Sequence, residues 1–222
     1  MTLALIPARG GSKGVKNKNM YIINNEPLIF WTIKAAKESK YIDKIVLSSD
    51  DDKILKFGND CGIDTLKRPK KLAQDNSSTE SVLLHAIKNN NNFDNFMILQ
   101  PTSPLRTTKH INKAFKIFTK SNANALISVT QHDNKILKAF IINENGLTGI
   151  CNNTYPFLPR QKLPKVYLSN GAIYIIKKDS FLQTNNLCPV NTKCFVMNDI
   201  DSLDCDSIED LILAEQFLKL YS

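Results

Sequence analysis

With 222 residues, 42% of them hydrophobic, the chain is long enough to build one well-cored domain, which uses roughly 100–200 residues. Its 29 lysines and arginines outnumber 21 aspartates and glutamates, for a net charge of +8; the cations lie in short scattered clusters with no aromatic-interleaved basic helix, which argues against nucleic acid and for small anionic ligands. No segment approaches the ~20 apolar residues of a membrane span, so no membrane insertion and a cytoplasmic location are expected.

Residues 2–7 read as the first strand, an apolar run of the kind found where both sheet faces are covered. The run is followed, not preceded, by its basic cluster, so it does not read as a signal peptide. It empties into Arg9, Gly10, Gly11, Ser12, Lys13 and Gly14, then Lys16, Lys18 and Asn19. Bare glycine backbone can approach phosphate oxygens, and the cations supply the charge that a triphosphate demands. The glycine spacing fits neither G-x-x-x-x-G-K-[ST] nor G-x-G-x-x-G, which excludes a P-loop and a dinucleotide fold.

Residues 21–23 are a short extended piece, and Asn24, Asn25, Glu26 and Pro27 turn the chain into a helix ending near residue 38. A strand at 44–49 ends in Asp50, Asp51 and Asp52, which read as cap and dipole compensation for a helix reaching residue 57. A strand at 63–67 stops at Arg68, and apolar residues at helical spacing follow over 79–87. The strand at 96–99 stops at Gln100-Pro101-Thr102-Ser103-Pro104-Leu105-Arg106, a loop stiffened by its two prolines. Ligands in open α/β sheets gather beyond the carboxyl ends of strands, so this loop and the 9–19 loop are expected to face one crevice. A helix at 107–119 and a strand at 125–130 complete an alternation that predicts an α/β fold of three α/β/α layers around a mainly parallel, twisted sheet.

From residue 135 the rhythm changes. Extended runs at 138–142 and 172–176 enclose the polar stretch Tyr155-Pro156-Phe157-Leu158-Pro159-Arg160-Gln161. Roughly thirty residues without a helix exceed an ordinary loop, and the segment at about 135–170 is read as an antiparallel arm or lid inserted in a single domain spanning 1–222. A strand at 193–197, an acidic turn at 199–206 and an amphipathic helix at 207–218 close the chain. Cys61, Cys151, Cys188, Cys194 and Cys205 are odd in number and form no C-x-x-C pair, so reduced thiols are expected rather than disulfides or a zinc site. His85, His110 and His132 show no metal spacing, and none is nominated as a base.

Arg9, Ser12, Lys13, Gly14, Lys18 and Asn19 form R-x-x-S-K-G-x-x-x-K-N, which resembles the opening motif of the bacterial acylneuraminate cytidylyltransferases, the CMP-sialic acid synthetases. Five further segments of that family occur in order: Leu66 to Pro69, Leu99 to Arg106, Pro159 to Gln161, Ser169 to Tyr174 and Asp201 to Asp206. The resemblance implies a nucleotidyltransferase sheet and a cytidylyl transfer, in which CTP and a nine-carbon α-keto acid sugar give the CMP-sugar and pyrophosphate.

It further implies roles for particular residues. Arg9 and Lys13 would hold the β- and γ-phosphates beside Ser12, with Lys18 nearer the α-phosphate. Asn19, Arg68 and Thr79 would surround cytosine and ribose, although Arg68 could equally pair with a carboxylate such as Asp64. Gln100 would orient the acceptor's anomeric hydroxyl. Ser103, on the same proline-bracketed loop as Gln100, would also bind the sugar, while Arg106 could equally make a structural ion pair. Lys138 and Arg160 would clamp the sugar carboxylate, with Asn170 and Tyr174 in the same pocket unless Tyr174 is plain core. Asp204 and Asp206 would hold Mg²⁺, since side chains at i and i+2 of an extended segment share one face, or they cap the last helix. The arm would reach into a partner subunit's site, making the protein a homodimer. N-acetylneuraminic acid is the expected acceptor, with legionaminic or pseudaminic acid as alternatives within the class and a non-catalytic nucleotide-binding module as the alternative outside it.

Overall fold

The computed structural model describes residues 1–11, 14–144 and 146–221. Its centre is a seven-stranded sheet in the order β11-β7-β10-β6-β1-β4-β5. The strands are β1 (Thr2–Pro7), β4 (Lys44–Ser49), β5 (Asp64–Lys67), β6 (Asn95–Ile98), β7 (Ala125–His132), β10 (Val166–Lys177) and β11 (Thr192–Met197). The pairs β1–β4, β1–β6, β4–β5 and β7–β11 are parallel, and β10 runs antiparallel between β6 and β7. The mainly parallel α/β sheet expected from the sequence is therefore present.

Alternation along β1 explains the layers. Ala4 and Ile6 pack with Ile29 and Ile33 of α1 (Leu28–Lys37), Ile54 of α2 (Asp52–Asp60) and Ile111, Ala114 and Phe118 of α4 (Thr108–Lys120). Leu3 and Leu5 face the other way, toward Val82, Leu83 and Ala86 of α3 (Thr79–Asn89) and Phe181 of α5 (Lys178–Thr184). Side chains of period two thus fill two cores at once. A third cluster joins Leu211, Ala214 and Leu218 of α6 (Ile208–Tyr221) to Val15, Ile23 and Leu28, which anchors the C-terminal helix beside the loop that follows β1.

Small local devices set the entrances to these elements. Asn24 and Asn25 both take positive φ, 48° and 66°, and turn β2 (Ile22–Ile23) into β3 (Glu26–Pro27), the primed-turn geometry that asparagine tolerates. Asp51 caps α2 by accepting from the Lys53 and Ile54 amides. Its neighbour Asp50 accepts instead from Gly10 N at 3.0 Å, so one of the three acids fastens the glycine-rich loop.

The second half departs from the sequence reading. Residues 172–176 are the end of β10, which begins at Val166, inside the segment read as an arm, and is an interior strand of the sheet. Pairing with β7 is irregular between Ser169 and Tyr174, and Gly171 sits there at φ 73°, the marks of a bulge. Outside the main sheet, β8 (Phe140–Asn143) pairs with β9 (Gly146–Gly149) as a hairpin, followed by single 3-10 turns at Tyr155–Phe157 and Arg160–Lys162. This hairpin segment exposes Ile142 at 82% and Phe157 at 79%. Helix α5 was not expected; with seven residues, it is too short to establish a helical period.

Candidate active site

The carboxyl ends of the strands converge on one cleft of about 250 Å³. The loop after β1 contributes Arg9, Gly11, Lys18 and Asn19; the end of β5 contributes Arg68; the start of α3 contributes Ser77, Ser78 and Thr79. The loop after β6 supplies Gln100, Pro101 and Thr102, and the segment before α6 supplies Asp204 and Asp206. The 9–19 and 100–106 loops, expected to face one crevice, do so. Ser12 and Lys13 lie outside the described residues.

Each polar residue is held by identifiable contacts. Asn19 is buried and donates from Nδ2 to the Arg9 carbonyl at 2.9 Å, closing the glycine loop on itself. Arg9 extends to Asp75 at 2.7 Å. Arg68 makes no carboxylate contact with Asp64, which pairs with Lys44. Its Nε and Nη2 donate to Ser48 Oγ and the Ser48 carbonyl at 3.2 and 2.8 Å. Burial lowers the Arg68 pKa to about 10, while Asp50 opposes the shift. A guanidinium fixed on neutral oxygens in this way keeps its charge available to the cleft.

Alternation sends Cys205 into the core, at 0% exposure, and both flanking acids toward the cleft. Asp206 pairs with Lys18 at 2.8 Å. Its backbone carbonyl packs against Gly14, where a Cβ would collide with it, so the glycine is required for the loop and the acidic segment to meet. Ser207 caps α6 by accepting from the Asp210 amide, and Asp210 accepts in return from the Ser207 and Asp206 amides; that duty falls on neither Asp204 nor Asp206. Among the described residues no cation stands within ion-pair distance of Asp204. Desolvation, and then the charge of Asp206, raise its pKa, against the nearby Thr102 hydroxyl and Lys18. Asp204, a hard carboxylate whose ionisation is opposed by burial, with Asp206 on the same face and the buried Thr102 hydroxyl beside it, fits a divalent cation of the Mg²⁺ class. Among the described residues there is no cluster of three His, Cys, Asp or Glu, so further ligands would come from substrate and water.

The remaining sequence candidates are placed elsewhere. Ser103 is fully buried with an unpartnered hydroxyl. Asn170 is buried and committed: its Oδ1 accepts from Ser128 Oγ at 2.6 Å and its Nδ2 donates to Ser202 Oγ at 2.9 Å. Tyr174 shares a hydrogen bond with Ser169 at 2.9 Å and packs partly against the core of Leu3 and Leu5. Lys138 ends a 3-10 turn at the base of the hairpin. Arg160, paired with Asp133 at 3.3 Å, lines a second cleft of about 710 Å³ with His132, Lys165 and Asp199. Lys138 and Arg160 do not line the cleft that holds Gln100. Sequence reasoning missed Thr102, although it lies between two nominated residues of the proline-bracketed loop. It also missed Asp50, whose bond to Gly10 has no signature in spacing.

The model of the family described as Cytidylyltransferase matches residues 3–191. The chain belongs to the cytidylyltransferase family. It is 32% identical over 213 residues to the N-acylneuraminate cytidylyltransferase of Escherichia coli O18:K1:H7, an alignment covering 96% of this chain and 51% of that one. The chain therefore spans about half the length of that relative. It is 30% identical over 223 residues to the pseudaminic acid cytidylyltransferase of Campylobacter jejuni subsp. jejuni serotype O:2, covering 98% and 96% of the two chains. The fold matches a CMP:2-keto-3-deoxy-manno-octonic acid synthetase solved in complex with CTP, with a TM-score of 0.77 at 14% identity over 100% of this chain and 99% of that one. The resemblance to acylneuraminate cytidylyltransferases drawn from the ordered motifs is borne out.

Proposed function

We propose that this cytidylyltransferase moves CMP from CTP to the anomeric hydroxyl of a nine-carbon α-keto acid sugar and releases pyrophosphate. The observation that carries the reading is the single cleft in which the cations Arg9, Lys18 and Arg68, the amide of Gln100 and the acids Asp204 and Asp206 meet. In-line attack at the α-phosphorus builds negative charge on equatorial and leaving oxygens, so catalysis consists of positioning and charge neutralisation. Arg9 and Lys13 meet the β- and γ-phosphates, with Ser12 beside them, and Lys18 faces the α-phosphate side. Both Arg9 and Lys18 are ion-paired in the structure, to Asp75 and Asp206, and exchange those partners for phosphate oxygens. Asn19, Arg68 and Thr79 surround the nucleoside, where an amide and a guanidinium can read the O2 and N3 acceptors of cytosine. The uncharged Gln100 amide orients the acceptor hydroxyl without neutralising its electrons.

Asp204 and Asp206 would hold Mg²⁺, which when bound supplies charge neutralisation for the leaving pyrophosphate. Lys138 and Arg160 serve the sugar carboxylate, while Asn170, committed to Ser128 and Ser202, and Tyr174, packed partly on the core, support the pocket from behind. Since Lys138 and Arg160 sit away from Gln100 within one chain, the hairpin arm acts on the site of a second copy. The protein is then a homodimer, and the exposed Ile142 and Phe157 support that reading. All five cysteines are free and no described helix is long and apolar enough to cross a membrane, which supports a cytoplasmic reaction. N-acetylneuraminic acid is the proposed acceptor; the relative acting on pseudaminic acid makes that acid the specific alternative.

CMP-sugar formation from CTP and Mg²⁺ with N-acetylneuraminic, pseudaminic, legionaminic and 3-deoxy-manno-octulosonic acids tests both levels. Turnover with a nine-carbon acid supports the reaction and names the acceptor. Preference for the eight-carbon acid would remove the proposed substrate class.

A further inference from the structure

Arg106 is the largest fully buried side chain, and the guanidinium faces neutral oxygens rather than the ion pair that the sequence left open. Its Nη1 donates to the Ala172 carbonyl at 3.2 Å and its Nη2 to the Thr32 hydroxyl at 2.6 Å, while Nε has no acceptor. Burial without a counter-charge draws its pKa down to about 9. A buried guanidinium without a counter-charge is costly to desolvate, so filling space does not by itself account for it. Its two donor arms point to another use.

The Thr32 hydroxyl, which accepts from Arg106, donates its own proton to the Gln100 carbonyl at 3.3 Å. On the other side, the Ala172 carbonyl follows Gly171 in the bulge of β10. A Cβ on Gly171 would lie 3.3 Å from Gln100 Oε1 and 3.7 Å from Asp204 Oδ2. The bulge thus abuts both groups, and Arg106 ties its backbone to that of Gln100 from behind. Among the described residues, none of the hydrogen bonds to Arg9, Lys18, Asn19 or Arg68 involves Arg106 or Thr32.

We infer that Arg106 and Thr32 are positioning residues for the acceptor half of the cleft, fixing Gln100 against the bulge of β10 and thereby the place where the anomeric hydroxyl is held. This rests on the proposed cytidylyl transfer. The consequence is an asymmetry: loosening the Arg106–Thr32–Gln100 chain impairs use of the sugar acid and leaves CTP binding alone.

Steady-state kinetics of Thr32→Val, Thr32→Ser and Arg106→Lys, with CTP affinity measured by calorimetry, decide the matter. Thr32→Val removes the relay hydroxyl at nearly constant shape and is expected to lower kcat/KM for the acid about tenfold, with CTP affinity within about twofold. Thr32→Ser, which keeps the hydroxyl, is expected to restore the wild-type value. Arg106→Lys keeps the charge but loses the fork that reaches two oxygens, and a folded variant is expected to show the same pattern. If that variant does not fold, the threonine pair still decides. Unchanged acid kinetics in Thr32→Val, equal losses for acid and CTP, or a serine variant no better than valine would overturn the inference. A wild-type protein that binds CTP but is silent with every acid would remove the functional reading and this inference together. An active wild type with an insensitive Thr32→Val would remove this inference alone.

Discussion

Lys18 has two partners to satisfy. In the structure its ammonium neutralises Asp206 at 2.8 Å; in the proposed reaction it faces the α-phosphate. A group whose effect grows as charge develops contributes chiefly to the transition state, so Lys18→Ala is expected to reduce kcat about a hundredfold while changing CTP affinity far less. Steady-state kinetics with calorimetric CTP binding read both; a change confined to KM would reduce Lys18 to ground-state binding. Asp204→Asn keeps the shape and removes the charge. It is expected to cut turnover with Mg²⁺ by at least about a hundredfold with an unchanged melting temperature, and a correctly folded variant of near-normal rate would remove Asp204 from the proposed metal site. At this scale much of the cleft was legible: Arg9, Lys18, Asn19, Arg68, Gln100, Asp204 and Asp206 were nominated from motifs and all line it. Thr102 escaped because a threonine in a proline-rich loop carries no chemical signature until its hydroxyl is seen buried beside Asp204. Arg106 was named, but its bonds to Thr32 and Ala172 span 66 residues and more and are invisible to local pattern.

Among the elements, the bulge of β10 and the start of α4 carry the clearest consequences. At Gly171 the left-handed backbone and the nearness of Gln100 both oppose a side chain. Gly171→Ala is therefore expected to cost about 1 kcal/mol of stability and to weaken use of the acid more than of CTP, measured by denaturant titration and kinetics. Helix α4 opens with a capping box in which Thr107 and His110 satisfy one another's backbone amides, and His110 Nε2 lies 3.4 Å from Asp201. Burial lowers the His110 pKa from its usual 6.5, with Lys113 and Arg106 acting in the same direction and Asp201 against it. A histidine depressed on folding binds its proton more readily when unfolded, so its contribution to stability is complete above about pH 6.5 and declines as the pH falls below that value. His110→Gln, which retains a capping side chain, is expected to reduce the difference in melting temperature between pH 7.5 and 5.5; an identical difference would contradict the assignment. The nine alternating strands and helices of the sheet from β1 to β7 could be read from apolar periodicity. Strand β10 could not, because its partners β6 and β7 lie far away in sequence, and its polar first half resembles an arm until the pairing with β7 is seen.

At the scale of the whole molecule, the cleft of one chain contains the residues proposed for the nucleotide but not Lys138 or Arg160, which stand toward the hairpin and the second cleft. The hairpin presents Ile141, Ile142 and Leu147 to solvent at 52%, 82% and 61%, an apolar surface of the kind that marks an interface. Light scattering is expected to give a dimer, and Ile142→Asp a monomer with reduced use of the acid; a fully active wild-type monomer would contradict the two-chain site. The central claim is the transfer itself, and ³¹P NMR of CTP, Mg²⁺ and N-acetylneuraminic or pseudaminic acid tests it most directly by identifying the bond that breaks. The account predicts equal, acid-dependent growth of pyrophosphate and a phosphodiester resonance. CDP with orthophosphate, or unchanged CTP with every nine-carbon acid in the presence of folded, CTP-binding protein, would contradict it.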